Sequence, residues 1–214
     1  MPACELDHIV IGAATLDQGV AFIRDRLGVE IGPGGRHDLM GTHNRLMRIA
    51  PNSYLEVIAI DPDAAPLTRR RWFEFDEPAM RASLETSPRI VTWVARSYDI
   101  VAALQASAVP LGPAIPASRG HLSWRITVPE DGHLPGGGTI PHLIEWDGGL
   151  RPWEAMTDVG CRFEELILEH PDPDWLKSAL ASVCARGFAG VSVREGAEPG
   201  LSVRIATVTG SVTI

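Results

Sequence analysis

One pattern recurs along the chain and leaves few architectures open: a strand, a helix, then further strands. LDHIVIGA (6–13) reads as a buried strand and ATLDQGVAFIRDRLG (14–28) as a helix. Thr15 is the expected N-cap, Gln18 completes a capping box and Gly28 ends the helix. Strands return at HNRLMRIA (43–50) and YLEVIAID (54–61), with Pro51, Asn52 and Ser53 as the turn between them. The order repeats with a strand at PRIVTWVA (88–95) and a helix at SYDIVAALQAS (97–107), capped by Ser97. Strands at HLSWRITV (121–128) and PHLIEWDG (141–148) follow, separated by a Gly/Pro-rich loop. Setting Pro51 against Pro129 also sets His43 against His121, a second coincidence that supports a true repeat.

A weaker third copy has a strand at CRFEELILEH (161–170) and a helix at PDPDWLKSALASVCARG (171–187) with Asp172 as cap and Pro173 first. Short strands in GVSVREG, LSVRIATV and SVTI complete it. Each copy is one βαβββ unit, too small to bury its own sheet face, and two paired units give a curved sheet with a concave side. The expected fold class is therefore α+β: two βαβββ modules paired into a curved sheet with a cleft, and a third packed alongside. The boundaries read as 1–61 for the first module, 62–87 for a linker, 88–150 for the second module and 151–214 for the third. Within the linker, RRRWFEFDEPAM reads as a solvated linker helix with aromatic anchors, or less readily as a basic patch for an acidic ligand.

Composition narrows the function classes. The chain of 214 residues holds 27 acidic and 19 basic residues, a formal charge of −8, which argues against phosphate-backbone binding and so against a nucleic-acid partner. No apolar run approaches the ~20 residues needed to cross a bilayer, so no membrane partner is expected, and the start MPACELDHIVIG does not read as a signal peptide. Cys4, Cys161 and Cys184 form no CxxC and are odd in number, against a disulfide framework or thiolate zinc site, with a reducing cytoplasm as the default.

Three residues stand out chemically. His8 lies among apolar neighbours in the first strand, where a histidine is often just a satisfied core residue. Glu56 lies mid-strand in YLEVIAI, and Glu145 holds a similar place in HLIEWD. A carboxylate in such a run is costly to bury unless paired, protonated or metal-bound. If the sheets face each other, both carboxylates point into one cleft, and His8, Glu56 and Glu145 make an N/O/O set suited to Mn, Fe, Zn, Co or Ni. The alternative is that Glu56 or Glu145 pairs with an arginine. His43, Asn44 and His121 open equivalent strands and either line the cleft as substrate contacts or serve as strand-start hydrogen-bonders. Trp93 and Arg125 are further candidate substrate contacts. His37, His133 and His170 read as surface residues, and His142 points away from Glu145 by alternation. The loop 130–141 carries Gly136, Gly137 and Gly138, matches neither a phosphate-binding nor a dinucleotide fingerprint, and reads as a hairpin able to cover a cleft.

LDHIVIGAATLDQGVAFIRDRLGV resembles the opening of glyoxalase-like proteins of the vicinal oxygen chelate superfamily, the group that also contains bleomycin-resistance proteins and extradiol dioxygenases. GGRHDLMGTHNRLMRI with YLEVIAID resembles the rest of a first module. LSWRITVPEDGHLPGGGTIPHLIEWDG resembles a second module, and EHPDPDWLKSAL a third-module tail. The resemblance implies a divalent metal held between modules, with His8 and Glu56 in the first module's two ligand slots and Glu145 in one slot of the second. The fourth slot falls near Ile90, where residues 88–95 offer no His, Gln or acid. It implies metal-dependent lyase, isomerase or dioxygenase chemistry on a small oxygenated metabolite. Glu145 or Glu56 would be the base and Gly136–Gly138 a lid, with module pairing across a homodimer as a further implication. The alternative it leaves open is a non-catalytic protein that sequesters a small molecule in the same cleft.

Overall fold

The computed structural model describes residues 4–149 and 151–214; the outer limits set above at residues 1 and 150 lie outside these. The first module comprises β1 (Cys4–Gly12), α1 (Leu16–Leu27), β2 (Arg36–His37), β3 (Thr42–Ala50) and β4 (Ser53–Ile60). A strap over 61–77 and helix α2 (Pro78–Thr86) lead into β5 (Arg89–Ser97), α3 (Ile100–Ala106), β6 (Ala114–Arg119), β7 (Leu122–Thr127) and β8 (His142–Trp146). The chain ends with β9 (Arg162–His170), α4 (Pro173–Val183), β10 (Val191–Glu195), β11 (Gly200–Thr207) and β12 (Gly210–Thr213).

The helix ends follow from local chemistry. Thr15 Oγ1 accepts the Gln18 amide at 3.1 Å, and Gly28 takes the left-handed conformation (φ 69°) that closes α1. Asp172 caps α4 as expected, with Pro173 in the first turn. In α3 the cap is Asp99 rather than Ser97, because β5 runs on to Ser97. β6 is absent from the sequence reading. It contains Pro116, which an edge strand tolerates because the missing donor faces no neighbour.

Eight strands form one curved sheet in the order β2-β3-β4-β1-β5-β8-β7-β6. β1 and β5 pair antiparallel at its centre, and each pairs parallel with the last strand of its own module, β4 and β8. The order is thus mirrored about the β1–β5 seam, as two paired βαβββ units require. On the outer face, Ile9, Ile11, Leu55, Val57, Ala59 and Leu143 pack under α1 and α3. Gly19 lets α1 approach β4 closely, since a Cβ there would lie 2.3 Å from Val57 Cγ1.

The C-terminal unit completes the outer layer. Leu166, Leu168, Leu180, Val203 and Ile205 join the same core cluster as Ile9 and Ile11. Its four strands run β10-β9-β11-β12, with β10 parallel to β9. The element sequence is βαβββ, but here the first strand pairs parallel with the second rather than the last, so its sheet is wired differently from those of the first two modules.

The inner face has its own core: Val10, Ile58, Val91, Val94, Trp124, Ile126, Ile144 and Trp146. The strap fills this concavity with Trp72, Phe73 and Phe75, so it is an aromatic plug and not the solvated linker helix its charges suggested. Phe73 (φ 60°) and Glu74 (φ 59°) both adopt left-handed backbone, which costs about 1–2 kcal/mol per residue. Burial of Phe73 and two bonds of Glu74 hold them there: Glu74 N–H donates to the Gly132 carbonyl at 2.8 Å, and Glu74 Oε1 accepts the Leu134 amide at 3.0 Å.

Candidate functional site

The buried polar residues of the inner face form one connected line. At its centre is His8 on β1, 4% exposed, with Tyr54 of β4 stacked on its ring at 4.6 Å. Its neighbour Asp7 is fully buried, and strict alternation would send it to the outer face. A register shift between Leu6 and His8 lets both side chains turn inward. Asp7 Oδ1 lies 2.8 Å from His8 Nδ1, while Oδ2 accepts from Trp146 Nε1 at 2.9 Å and from Arg96 Nη1 at 3.3 Å. The buried charge of Asp7 is therefore compensated. Burial opposes the charge on Arg96, but Asp7 and Glu5 outweigh it and raise its pKa.

With Asp7 as acceptor, Nδ1 of His8 carries the proton and Nε2 faces Glu56 Oε2 at 3.5 Å. Glu56, 5% exposed on β4, accepts at Oε1 from Asn44 Nδ2 of β3. Asn44 is fully satisfied. Its Nδ2 also meets His37 Nε2 at 3.4 Å, and its Oδ1 accepts from the Gly35 amide at 2.9 Å and from Arg119 Nη1 at 2.8 Å. Desolvation lowers the His37 pKa to about 4, against the opposing pull of Glu56. His37 is thus neutral near pH 7, and its Nδ1 bonds Thr42 Oγ1 at 3.1 Å. Desolvation, with Asp7 and Glu56 nearby, holds the Tyr54 phenol well above its usual value. The cavity bounded by these groups and by Trp72, Phe73, Trp124 and Ile144 has a volume of about 20 Å³, room for a single water-sized group.

His8, Glu56 and Asn44 come together; the other expected residues do not join them. Glu145 is the main correction. The pairing of Val94 with His142 turns His142, Ile144 and Trp146 inward and leaves Glu145 on the outer face. There Glu145 accepts the Ile100 amide at the N-terminus of α3 (2.7 Å) and pairs with Arg125, which faces outward with it. Trp93 is also outward and fully buried, its Nε1 bonded to the Thr139 carbonyl at 2.9 Å, so it contacts no cleft ligand. His43 pairs with Ala59 of the outer-facing set and lies opposite Asn44. His121 is exposed in the β6–β7 turn. Gly136–Gly138 form no lid. They make a tight turn in which Gly138 (φ 93°) packs on the Val91 carbonyl and Gly137 on Pro199.

Sequence reasoning missed Asp7, His37, Arg119 and the Trp72–Phe73 plug. The adjacent polar pair Asp7-His8 inside an apolar strand was the available signal. His37, expected at the surface, is buried under Trp72, whose ring it meets edge-on at 5.1 Å.

The donor set can now be set against the divalent ion that the resemblance implies. His8 pairs with Val94 across the seam, and Val94 aligns with His142 as His8 aligns with Tyr54. Two residues on, Ile144 stands where Glu56 stands. The second module thus presents Val94 and Ile144, which donate nothing. Among the described residues no group of three or more His, Cys, Asp or Glu could hold a metal. The residues present do not fit a metal centre built from both modules.

A mirrored eight-stranded sheet of two βαβββ units, with a polar pocket on its inner face, is the architecture of the vicinal oxygen chelate superfamily. The profile of the glyoxalase-like domain matches residues 6–184, and the chain belongs to that family. No curated protein sequence matches it. Among solved structures, a hypothetical protein from Staphylococcus aureus is 16% identical with a TM-score of 0.65, over 92% of this chain and 88% of that one. Methylmalonyl-CoA epimerase from Mycobacterium tuberculosis is 19% identical with a TM-score of 0.44, over 70% and 91%. At 16% identity the Staphylococcus aureus likeness speaks for the fold alone. Among the described residues no helix is long and apolar enough to cross a membrane.

Proposed function

We propose that the chain is an enzyme that moves a proton on a small oxygenated metabolite, with His8 and Glu56 as the pair that handles it. The observation that carries this reading is the line Asp7–His8–Glu56–Asn44, buried among aromatic side chains. Asp7 fixes the His8 tautomer so that Nε2 faces the cavity, and Asn44 fixes the Glu56 carboxylate beside it. One group takes a proton from substrate carbon or oxygen, the pair shares it across the 3.5 Å between His8 Nε2 and Glu56 Oε2, and it returns to another substrate atom. General acid–base catalysis of this kind contributes about 10²–10⁴ in rate. A proton taken up at His8 Nε2 turns that nitrogen into a donor for the negative charge left on substrate oxygen.

The metal-dependent form of this chemistry, in lyase, isomerase or dioxygenase style, would need donors beyond His8 and Glu56. Sequestration without turnover leaves the Asp7–His8–Glu56 line without a purpose. The test is deuterium exchange at carbons next to carbonyl groups, followed by proton NMR over a panel of 2-oxo, 3-oxo and 2-hydroxy acids. Glu56→Gln is expected to lose exchange by about two orders of magnitude or more while its melting temperature holds. Exchange that survives in Glu56→Gln sinks the proposal. Exchange lost on chelation and restored by Mn, Fe, Zn, Co or Ni sinks its metal-free form.

A further inference from the structure

The reacting pocket is too small to hold a whole metabolite, but it shares a lining residue with a much larger space. A groove of about 830 Å³ runs beside it, walled by Ile31, Leu46, Leu122, Met156 and Val159. Arg119 lines both spaces and is the cation at their junction. Its side chain lies over Gly35, where a Cβ would come 2.6 Å from Arg119 Cδ. Among the described residues it makes one hydrogen bond, to the neutral Asn44, and no carboxylate lies within ion-pair distance of it. Arg36, Arg71, Arg96, Arg125, Arg162 and Arg204, by contrast, each pair with a carboxylate. The other ionisable groups lining the groove are Glu30, His121, Arg151 and Glu154. Arg151 donates to the Gly148 carbonyl and its amide to Glu154 Oε2.

We propose that Arg119 is the carboxylate receptor of this enzyme, and that its substrate is an amphipathic monocarboxylate. The acid group sits on Arg119, the apolar body lies in the groove, and the oxygenated reacting carbon enters the His8–Glu56 pocket. The placement rests on the role proposed above for His8 and Glu56. Only the Asn44 side chain separates Arg119 from Glu56, so the reacting carbon is close to the carboxylate along the chain. One uncompensated cation matches one negative charge, and a planar guanidinium offers a carboxylate two parallel N–H donors. A phosphate dianion would leave a charge unmatched a short distance from Glu56.

The experiment measures calorimetric binding of octanoate, octanol and octyl phosphate to wild type, Arg119→Gln, Arg119→Lys and Leu122→Glu. Octanoate is expected to bind wild type at least tenfold more tightly than octanol and more tightly than octyl phosphate. Arg119→Gln is expected to lose at least tenfold for octanoate and nothing for octanol, and Arg119→Lys to lose less. Gln at 119 can still donate to Asn44, and melting temperatures check that each variant folds. Leu122→Glu is expected to weaken octanoate through the groove while leaving Arg119 in place. Absence of octanoate binding, equal affinity for octanol, or unchanged affinity in Arg119→Gln overturns the proposal; tighter octyl phosphate overturns the carboxylate assignment. If Arg119 governs binding but Glu56→Gln still exchanges protons, the chemistry fails and the ligand class stands. If exchange needs Glu56 but binding ignores Arg119, the ligand class alone fails.

Discussion

Acid should destabilise this fold through two histidines that stay neutral inside it. Burial pushes His37 and His142 down to about 4, from an ordinary value near 6.5. His142 donates from Nδ1 to the Thr127 carbonyl at 2.9 Å, meets Phe73 edge-on, and leaves Nε2 without a partner among the described residues. The unfolded chain binds a proton at each imidazole near pH 6.5, whereas the native chain does so only near pH 4. Stability is therefore full above 6.5 and falls as the pH drops toward 4. Between pH 7 and pH 5 each histidine costs about 2 kcal/mol, so the two together cost about 4 kcal/mol. That is a large share of the roughly 5–15 kcal/mol that holds a domain folded. The assay is urea denaturation at half-unit pH steps, with His142→Leu as the diagnostic variant. The substitution gives up one hydrogen bond and an orphaned nitrogen and keeps the apolar contact with Phe73. Its stability should fall by about 2 kcal/mol less than wild type between pH 7 and 5. A His142→Leu curve parallel to wild type, or imidazole NMR shifts showing His142 protonated at pH 5.5, refutes the reasoning.

Glu145→Gln should leave proton exchange unchanged and cost about 0.5–1.5 kcal/mol by urea denaturation, because Glu145 serves the α3 N-terminus and Arg125 on the outer face. Arg96→Met should cost about 3–5 kcal/mol in the same assay, since it leaves the fully buried Asp7 charge uncompensated. The double variant Asp7→Asn/Arg96→Met should cost less than the sum of the singles. Gly138→Ala should cost upward of about 2 kcal/mol by thermal unfolding, because its Cβ would lie 2.2 Å from the Val91 carbonyl oxygen in left-handed backbone. If it unfolds as wild type, the tight-turn account of 135–138 fails.

The repeat made the paired modules legible because strand and helix periods differ and Thr15, Gly28, Asp172 and Pro173 punctuate them. What the repeat could not carry was phase. Matching Glu145 to Glu56 by eye slips the second module by one residue, and in a strand a one-residue slip inverts the face. The pairings that set the phase, His8 with Val94 and Val94 with His142, link residues 86 and 48 positions apart in the chain. Asp7 was hidden for a related reason, since a bulge broke the alternation. His37 and Arg119 became legible only when the curve of the sheet brought β2 near β6 and the strap covered the space between.

The mirrored sheet also separates two kinds of evolutionary freedom. Across the seam, His8 faces Val94, and Ile144 answers Glu56. One half of the cleft holds the proposed reacting groups and the other forms an apolar wall. Sequence drift on the inner face of β5, β7 and β8 would therefore change which metabolites fit, while drift on β1, β3 and β4 would change whether anything happens to them. A lineage could change substrate repeatedly by editing only the half that does no chemistry.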